Sequence, residues 1–127
     1  MSDIQAKLQA LSEDFQKLQG ELQSAVESRQ KLEGQKQENI GVQKEFDRLQ
    51  EGETIYKLSG PVLLKQDKFE AENTVKGRLD YIGSEINRLE DTIKETQGKL
   101  EKKRNEIIQL QSSAQAAAQG KGKEASK

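Results

Sequence analysis

The apolar residues in the first part of the chain recur at alternating spacings of four and three. This spacing keeps them on one stripe of an α-helix and is typical of a coiled-coil seam. The stripe is interrupted by polar residues between Arg29 and Gln43, and a shift onto Val42 predicts a stutter at about 36–42. The pattern predicts a coiled-coil helix over 2–50. The apolar members of this stripe are Ile4, Leu8, Leu11, Phe15, Leu18, Leu22 and Ala25.

A second and cleaner stripe follows in the C-terminal part of the chain. Only Thr96 and Lys103 interrupt it before the terminal alanines. Its apolar members are Val75, Leu79, Ile82, Ile86, Leu89, Ile93, Leu100, Ile107, Leu110 and Ala114. The pattern predicts a second coiled-coil helix over 68–114. The small, polar composition that follows predicts a disordered tail over 115–127.

The two predicted helices have similar lengths, roughly 70 Å each at ~1.5 Å per residue, and a short linker joins them. Capping-box spacings, Ser2 with Gln5 and Asp67 with Glu70, indicate where each helix begins. Gly52, Gly60 and Pro61 exclude one uninterrupted helix. These features favour an antiparallel pair of helices within one chain. Pairing of each helix with other chains is the alternative.

The linker contains YKLSGPVLL, residues 56–64, which is the densest apolar run of the chain. Apolar residues on both sides of Ser-Gly-Pro predict a β-hairpin within 53–67. Because proline is disfavoured at the second central position of a common turn, Ser59 and Gly60 are the predicted turn centre. The alternation of side chains then places Tyr56, Leu58 and Leu63 on one face, and Ile55, Val62 and Leu64 on the other.

A hairpin that exposes apolar side chains on both faces calls for a partner. Two strands alone are marginally stable in water, and their open edges favour pairing with further strands. We therefore expect hairpins from several subunits to build a shared sheet or barrel. The candidate oligomerisation residues are Ile55, Tyr56, Leu58, Val62, Leu63 and Leu64. The alternative is an irregular loop that folds back onto the coiled coil.

Composition limits the function further. The chain is 31% hydrophobic and 34% charged, with a net charge of −1, so its charge favours neither a nucleic acid nor a membrane as partner. It contains no histidine and no cysteine, and we expect no enzyme activity, no cofactor and no metal site. The N-terminus lacks the features of a signal peptide, which predicts a cytoplasmic location.

Three segments carry a resemblance to a known family: YKLSGPVLLKQD at 56–67, RLDYI at 78–82 and EINRLE at 85–90. With the flanking heptad patterns, they resemble the prefoldin family. The resemblance implies a mainly α fold, in which a long antiparallel two-helix coiled coil projects from a β-barrel body that the hairpins of a hexamer form together. A single hairpin is similar to the beta class, of which four subunits surround two alpha-class subunits. The expected partners are therefore two alpha-class and three further beta-class subunits.

The resemblance also implies a function. Prefoldin is a heterohexameric co-chaperone that binds unfolded or nascent proteins, actin and tubulin among them, and transfers them to the cytosolic group II chaperonin. Clients bind at the ends of the coiled coils, where both chain termini lie. The candidate client-binding residues, here called the tip residues, are Ile4, Leu8, Leu11, Ile107, Ile108 and Leu110. A structural or tethering coiled-coil adaptor is the alternative function, but it does not explain a central apolar hairpin.

Overall fold

The computed structural model describes the backbone of residues 2–49 and 53–125 and the side chains of 3–49 and 53–118. Its elements follow the order α1 (Ser2–Arg48), β1 (Ile55–Ser59), β2 (Val62–Gln66) and α2 (Lys68–Ala125). The predicted mainly α fold with one β-hairpin between two helices is confirmed. Within the described residues, neither helix has a segment long and apolar enough to cross a membrane.

Local hydrogen bonds define the two helix ends next to the hairpin. The Leu49 N–H donates to the Phe46 carbonyl at 3.2 Å, which tightens the last turn of α1. Before α2, the Asp67 carboxylate accepts a hydrogen bond of 3.3 Å from the Phe69 N–H. The predicted N-cap at Asp67 is therefore confirmed. The predicted end of the first helix at 50 and Gly52 both lie outside the described residues.

The C-terminal end of α2 differs from the prediction. The helix continues through Ala125, whereas the sequence pattern predicts an end at 114 and disorder beyond it. Four of the five residues in 114–118 are alanine, the residue with the highest helix propensity, and no proline follows. Helix propensity therefore favours the continuation of α2 through 118, beyond the last seam position. The prediction of disorder over 115–125 is wrong, and 126–127 lie outside the described residues.

The chain divides into two compact units. The terminal unit comprises Met1–Val26 and Asp91–Lys127, and the hairpin unit comprises Glu27–Glu90. In the terminal unit, Leu11 lines a groove with Leu110, and Phe15 lines another with Leu100. As the residue number increases along α1, the number of the neighbouring residue on α2 decreases, so the two helix segments run antiparallel.

The helix segments of the hairpin unit are antiparallel as well, because Arg29 contacts Glu90 and Asn39 shares a groove with Tyr81. The predicted pairing of the two helices within one chain is therefore observed in each unit. The seam of α1 in this unit differs in one detail from the prediction. Ile40 is half-buried and Val42 is exposed, so the stripe passes through Ile40 rather than Val42.

The two units differ in how well their seams are buried. Five apolar side chains of α2 are buried in the hairpin unit: Ala71, Val75, Ile82, Ile86 and Leu89. In the described part of the terminal unit, only Ala25 and Thr96 reach the same degree of burial. The other seam residues of the terminal unit, such as Leu18 and Leu100, are half-buried.

The turn of the hairpin lies one residue later than predicted. Ser59 pairs with Val62, so Gly60 and Pro61 occupy the two central positions. Gly60 has φ 59°, and only a type II′ turn combines a positive φ there with the negative φ of proline. Proline is disfavoured at the second central position only when the residue before it has right-handed helical φ and ψ. Gly60 has a positive φ and avoids that region. The shift moves the register by two residues, so the predicted faces are retained.

Candidate assembly and client-binding surfaces

One face of the hairpin concentrates large apolar side chains. Leu58 lies directly opposite Leu63, and Tyr56 lies opposite Lys65. Leu58, Leu63 and Tyr56 are 69%, 62% and 57% exposed. Directly opposed side chains in an antiparallel pair pack against each other, so these three form one continuous apolar surface. We call it the leucine face.

The second face carries apolar residues of another arrangement. Each of them lies opposite a polar residue: Ile55 opposite Gln66, Leu64 opposite Lys57, and Val62 opposite Ser59. Val62 and Leu64 are exposed, and Ile55 is half-buried. Both faces therefore expose apolar side chains, but only the leucine face contains an apolar pair across the strands. We call this second face the mixed face.

The hairpin remains open to further strands. Its sheet contains only β1 and β2, so each strand has one unpaired edge in the part of the chain that the structure describes. Unpaired edges beside exposed apolar side chains are the features through which strands of separate chains associate. The hairpin can thus join a larger sheet, as the predicted oligomerisation role of the six candidate residues requires.

Two exposed aromatic residues on α2 were not identified from the sequence. Phe69 is 69% exposed and Tyr81 is 66% exposed. Both lie outside the seam positions of the second stripe, and this off-seam placement is the signal that identifies them. Tyr81 borders a shallow groove of about 490 Å³ with Arg78, Gly77 and Asn39.

The tip residues divide into two groups. Five of them are half-buried seam residues: Ile4, Leu8, Leu11, Ile107 and Leu110. Ile108 follows a seam residue directly, lies off the seam, and is 51% exposed. The structure brings Leu11 and Leu110 to one groove of about 300 Å³. The terminal unit therefore offers partly accessible apolar side chains rather than a closed core.

Charged residues interrupt the seam in both units. In the hairpin unit, the Arg29 guanidinium on α1 donates to Glu90 Oε1 on α2, at 2.7 Å from Nη2 and 3.1 Å from Nε. This hydrogen bond is the main cause that raises the pKa of Arg29 above its usual value. In the terminal unit, Lys103 Nζ lies 3.7 Å from Asp14 and 3.8 Å from Glu106. Arg29 and Lys103, two of the polar interruptions of the stripes, thus each form an ion pair between the helices.

Within residues 3–49 and 53–118, whose side chains the structure describes, no group of three or more acidic side chains could hold a metal ion.

The sequence profile of the family described as "Prefoldin subunit" matches residues 9–114. The chain belongs to the prefoldin family. Its relatives include prefoldin subunit 6 of Saccharomyces cerevisiae, 43% identical over 87% of this chain and 97% of the relative. Prefoldin subunit 6 of Homo sapiens is 41% identical over 93% of this chain and 92% of the relative. Prefoldin subunit 6 of Arabidopsis thaliana is 38% identical over 95% and 94%.

Solved prefoldin structures are similar as well. The prefoldin beta subunit from Thermococcus strain KS-1 aligns with a TM-score of 0.73 at 25% identity, covering 84% of this chain and 91% of that one. The beta2 subunit from the same strain gives a TM-score of 0.62 at 26% identity, covering 72% and 97%. The resemblance seen in the sequence, including that to the beta class, is confirmed.

Proposed function

We propose that the chain is one of four beta-class subunits of a heterohexameric prefoldin in the cytoplasm. The complex binds unfolded or nascent proteins and transfers them to the group II chaperonin. The observation that carries the proposal is a single hairpin with an exposed apolar face, joined to the helices of the prefoldin fold. Actin and tubulin are the clients that family membership favours.

The hairpin supports the assembly part of the proposal. In water, the leucine face leaves three large apolar side chains uncovered, and burial of each one stabilises a complex by roughly 1.5–3 kcal/mol. Strands from two alpha-class and three further beta-class subunits would cover that face and satisfy the unpaired strand edges. The six candidate residues lie on the two faces of this hairpin: Tyr56, Leu58 and Leu63 on the leucine face, and Ile55, Val62 and Leu64 on the mixed face.

The terminal unit supports the client-binding part. Its half-buried seam and the exposed Ile108 present apolar surface that is partly accessible. Such surface suits weak binding of many non-native chains, since it makes few demands on their sequence. We propose that the six tip residues contact clients.

Assembly is tested with a triple variant of the leucine face. Tyr56→Ser, Leu58→Ser and Leu63→Ser together should abolish incorporation into the hexamer, measured by size exclusion and native mass after co-expression with the other subunits. Far-UV circular dichroism should show unchanged helicity, because the helices pair within the chain. The matched control is Lys57→Ser with Lys65→Ser, which leaves the apolar side chains in place and should assemble. Normal incorporation of the triple variant would show that assembly uses another surface.

Native mass also separates this function from a tethering adaptor. A coiled-coil adaptor should form dimers or trimers alone, whereas this chain should complete a hexamer only with the other subunits. Self-association into a defined dimer that persists when they are present would favour the adaptor.

Client binding is tested in the assembled complex. Deletion of 1–11 and 107–127 should preserve the hexamer and lose the suppression of client aggregation. A sharper variant is Ile108→Ser, matched by Val26→Ser, which also removes an exposed apolar residue from the terminal unit. We expect weaker suppression for Ile108→Ser and no change for Val26→Ser. If the truncated complex protects clients as well as the intact one, clients bind elsewhere.

A further inference from the structure

The most exposed aromatic residue of the described chain stands beside the hairpin. Phe69 lies in the first turn of α2, three positions after β2 ends at Gln66. Its side chain is 69% exposed, as much as that of Leu58 at the centre of the leucine face. An exposed phenylalanine this close in sequence to the hairpin adds apolar surface at the start of the helix.

The cap of α2 fixes the position of this ring. Asp67 accepts a hydrogen bond from the Phe69 N–H at 3.3 Å, and its carbonyl accepts one from the Ala71 N–H at 3.0 Å. Two hydrogen bonds within this first turn hold the backbone in place. Phe69 is therefore presented in a defined direction rather than on a free loop.

The helical period shows that α1 does not cover this direction. The buried residues Ala71, Val75 and Ile82 mark the side of α2 that faces α1. At ~100° per residue, Phe69 lies roughly 140° from the centre of that side. Tyr81 lies roughly 100° away in the opposite sense, so the two exposed aromatic residues occupy opposite flanks of the helix.

We propose that Phe69 is a second assembly contact, which packs against the apolar hairpin of a neighbouring prefoldin subunit. The inference rests on the proposed function, because the neighbour must be held at the hairpin before it reaches the first turn of α2. The occupant is a strand pair with aliphatic side chains, of the kind that this chain itself presents at Leu58 and Leu63. Packing at Phe69 ties the orientation of α2 to that of the neighbour, which hairpin pairing alone does not do.

The first test compares two single variants in the co-expressed complex. Phe69→Ala should raise the subunit concentration at which the complex dissociates by roughly tenfold or more, because a large aromatic side chain loses its buried contact. Tyr81→Ala is the matched control, since it removes an equally exposed aromatic residue from the other flank of α2, and it should leave dissociation unchanged. Equal dissociation of the Phe69→Ala and unmodified complexes overturns the proposal. So does an equal weakening by both variants.

A second test detects the contact directly. A photoreactive phenylalanine analogue placed at position 69 should crosslink to another subunit of the purified complex, and the same analogue at position 81 should not. The triple variant of the leucine face serves as reference. If that variant still assembles, the proposed role of the hairpin fails. If it does not assemble while position 69 gives no crosslink and Phe69→Ala dissociates normally, only the role of Phe69 fails.

Discussion

The hairpin unit and the terminal unit are built from the same two helices, but they place their apolar side chains differently. The hairpin unit buries five apolar residues of α2 and exposes eight other large ones, among them Leu58, Leu63 and Phe69. In its described part, the terminal unit buries only Ala25 and Thr96 and exposes Val26 and Ile108. The hairpin unit thus combines a better-buried seam with a large exposed apolar surface. The terminal unit has a half-buried seam and little exposed apolar surface.

This difference fits the two kinds of binding that we propose. Permanent assembly needs large apolar side chains on a scaffold that does not rearrange, because ordering a flexible surface would consume part of the binding free energy. Transient binding of diverse chains needs accessible apolar surface that adapts and releases. The more deeply buried seam of α2 in the hairpin unit suits the first task, and the half-buried seam around Leu11 and Leu110 suits the second.

The comparison is tested most strongly by truncating one leucine in each seam. Leu89→Ala in the hairpin unit should lower the free energy of unfolding by about 2–4 kcal/mol, because it removes a buried side chain and leaves a cavity. Leu100→Ala in the terminal unit should cost about half as much, because that side chain is only half-buried. Urea unfolding followed by circular dichroism measures both. Equal losses would mean that the two seams are equally closed.

Most of the fold can be predicted from the sequence because heptad spacing and capping are local signals. The two stripes indicate both helices, and Asp67 indicates the start of α2. The location of the turn at Gly60 and Pro61 could not be predicted from the general preference against proline, since the outcome depends on the φ of the preceding glycine. Phe69 was missed because a search for seam residues ignores aromatic residues between seam positions. Its exposure depends on the path of α1, which no local pattern gives.

Within the hairpin unit, a pair of single variants compares the two faces. Leu58→Ser should weaken assembly by roughly tenfold or more, because it breaks the apolar pair with Leu63. Leu64→Ser should weaken it less, because Leu64 lies opposite Lys57 and belongs to no such pair. Titration of the complex by native mass spectrometry gives both dissociation concentrations. A larger effect of Leu64→Ser would make the mixed face the buried one.

In the terminal unit, substitutions can be chosen that make the seam more apolar instead of truncating apolar side chains. Thr96→Val together with Lys103→Leu removes the two polar interruptions of the α2 stripe and should raise the melting temperature by a few degrees. If clients bind a seam that opens, the tightened complex should also suppress aggregation less well. Lys99→Leu is the control, because Lys99 pairs with Glu95 on the exposed side of the same helix. Higher stability with unchanged client protection would show that clients bind without opening of the seam.

The smallest expected effect concerns the ion pair between Arg29 and Glu90. Arg29→Glu places two carboxylates together and should lower the melting temperature by a few degrees, and adding Glu90→Arg should restore it. The pair is partly exposed, so added salt should reduce the difference. Its hydrogen bond raises the pKa of Arg29, so the stability from this arginine is complete below the pKa of the unfolded chain.

The stability that Arg29 contributes is lost only as the pH rises through its higher pKa in the folded chain. This stability should therefore stay constant from neutral to mildly alkaline pH. Lys99→Glu is the matched control, since it reverses a charge in an exposed pair within one helix and should shift the melting temperature less. If Arg29→Glu and Lys99→Glu shift it equally, or if the double reversal fails to restore it, the contact between Arg29 and Glu90 does not select the pairing of the two helices. The apolar seam of α2 would then set their register alone.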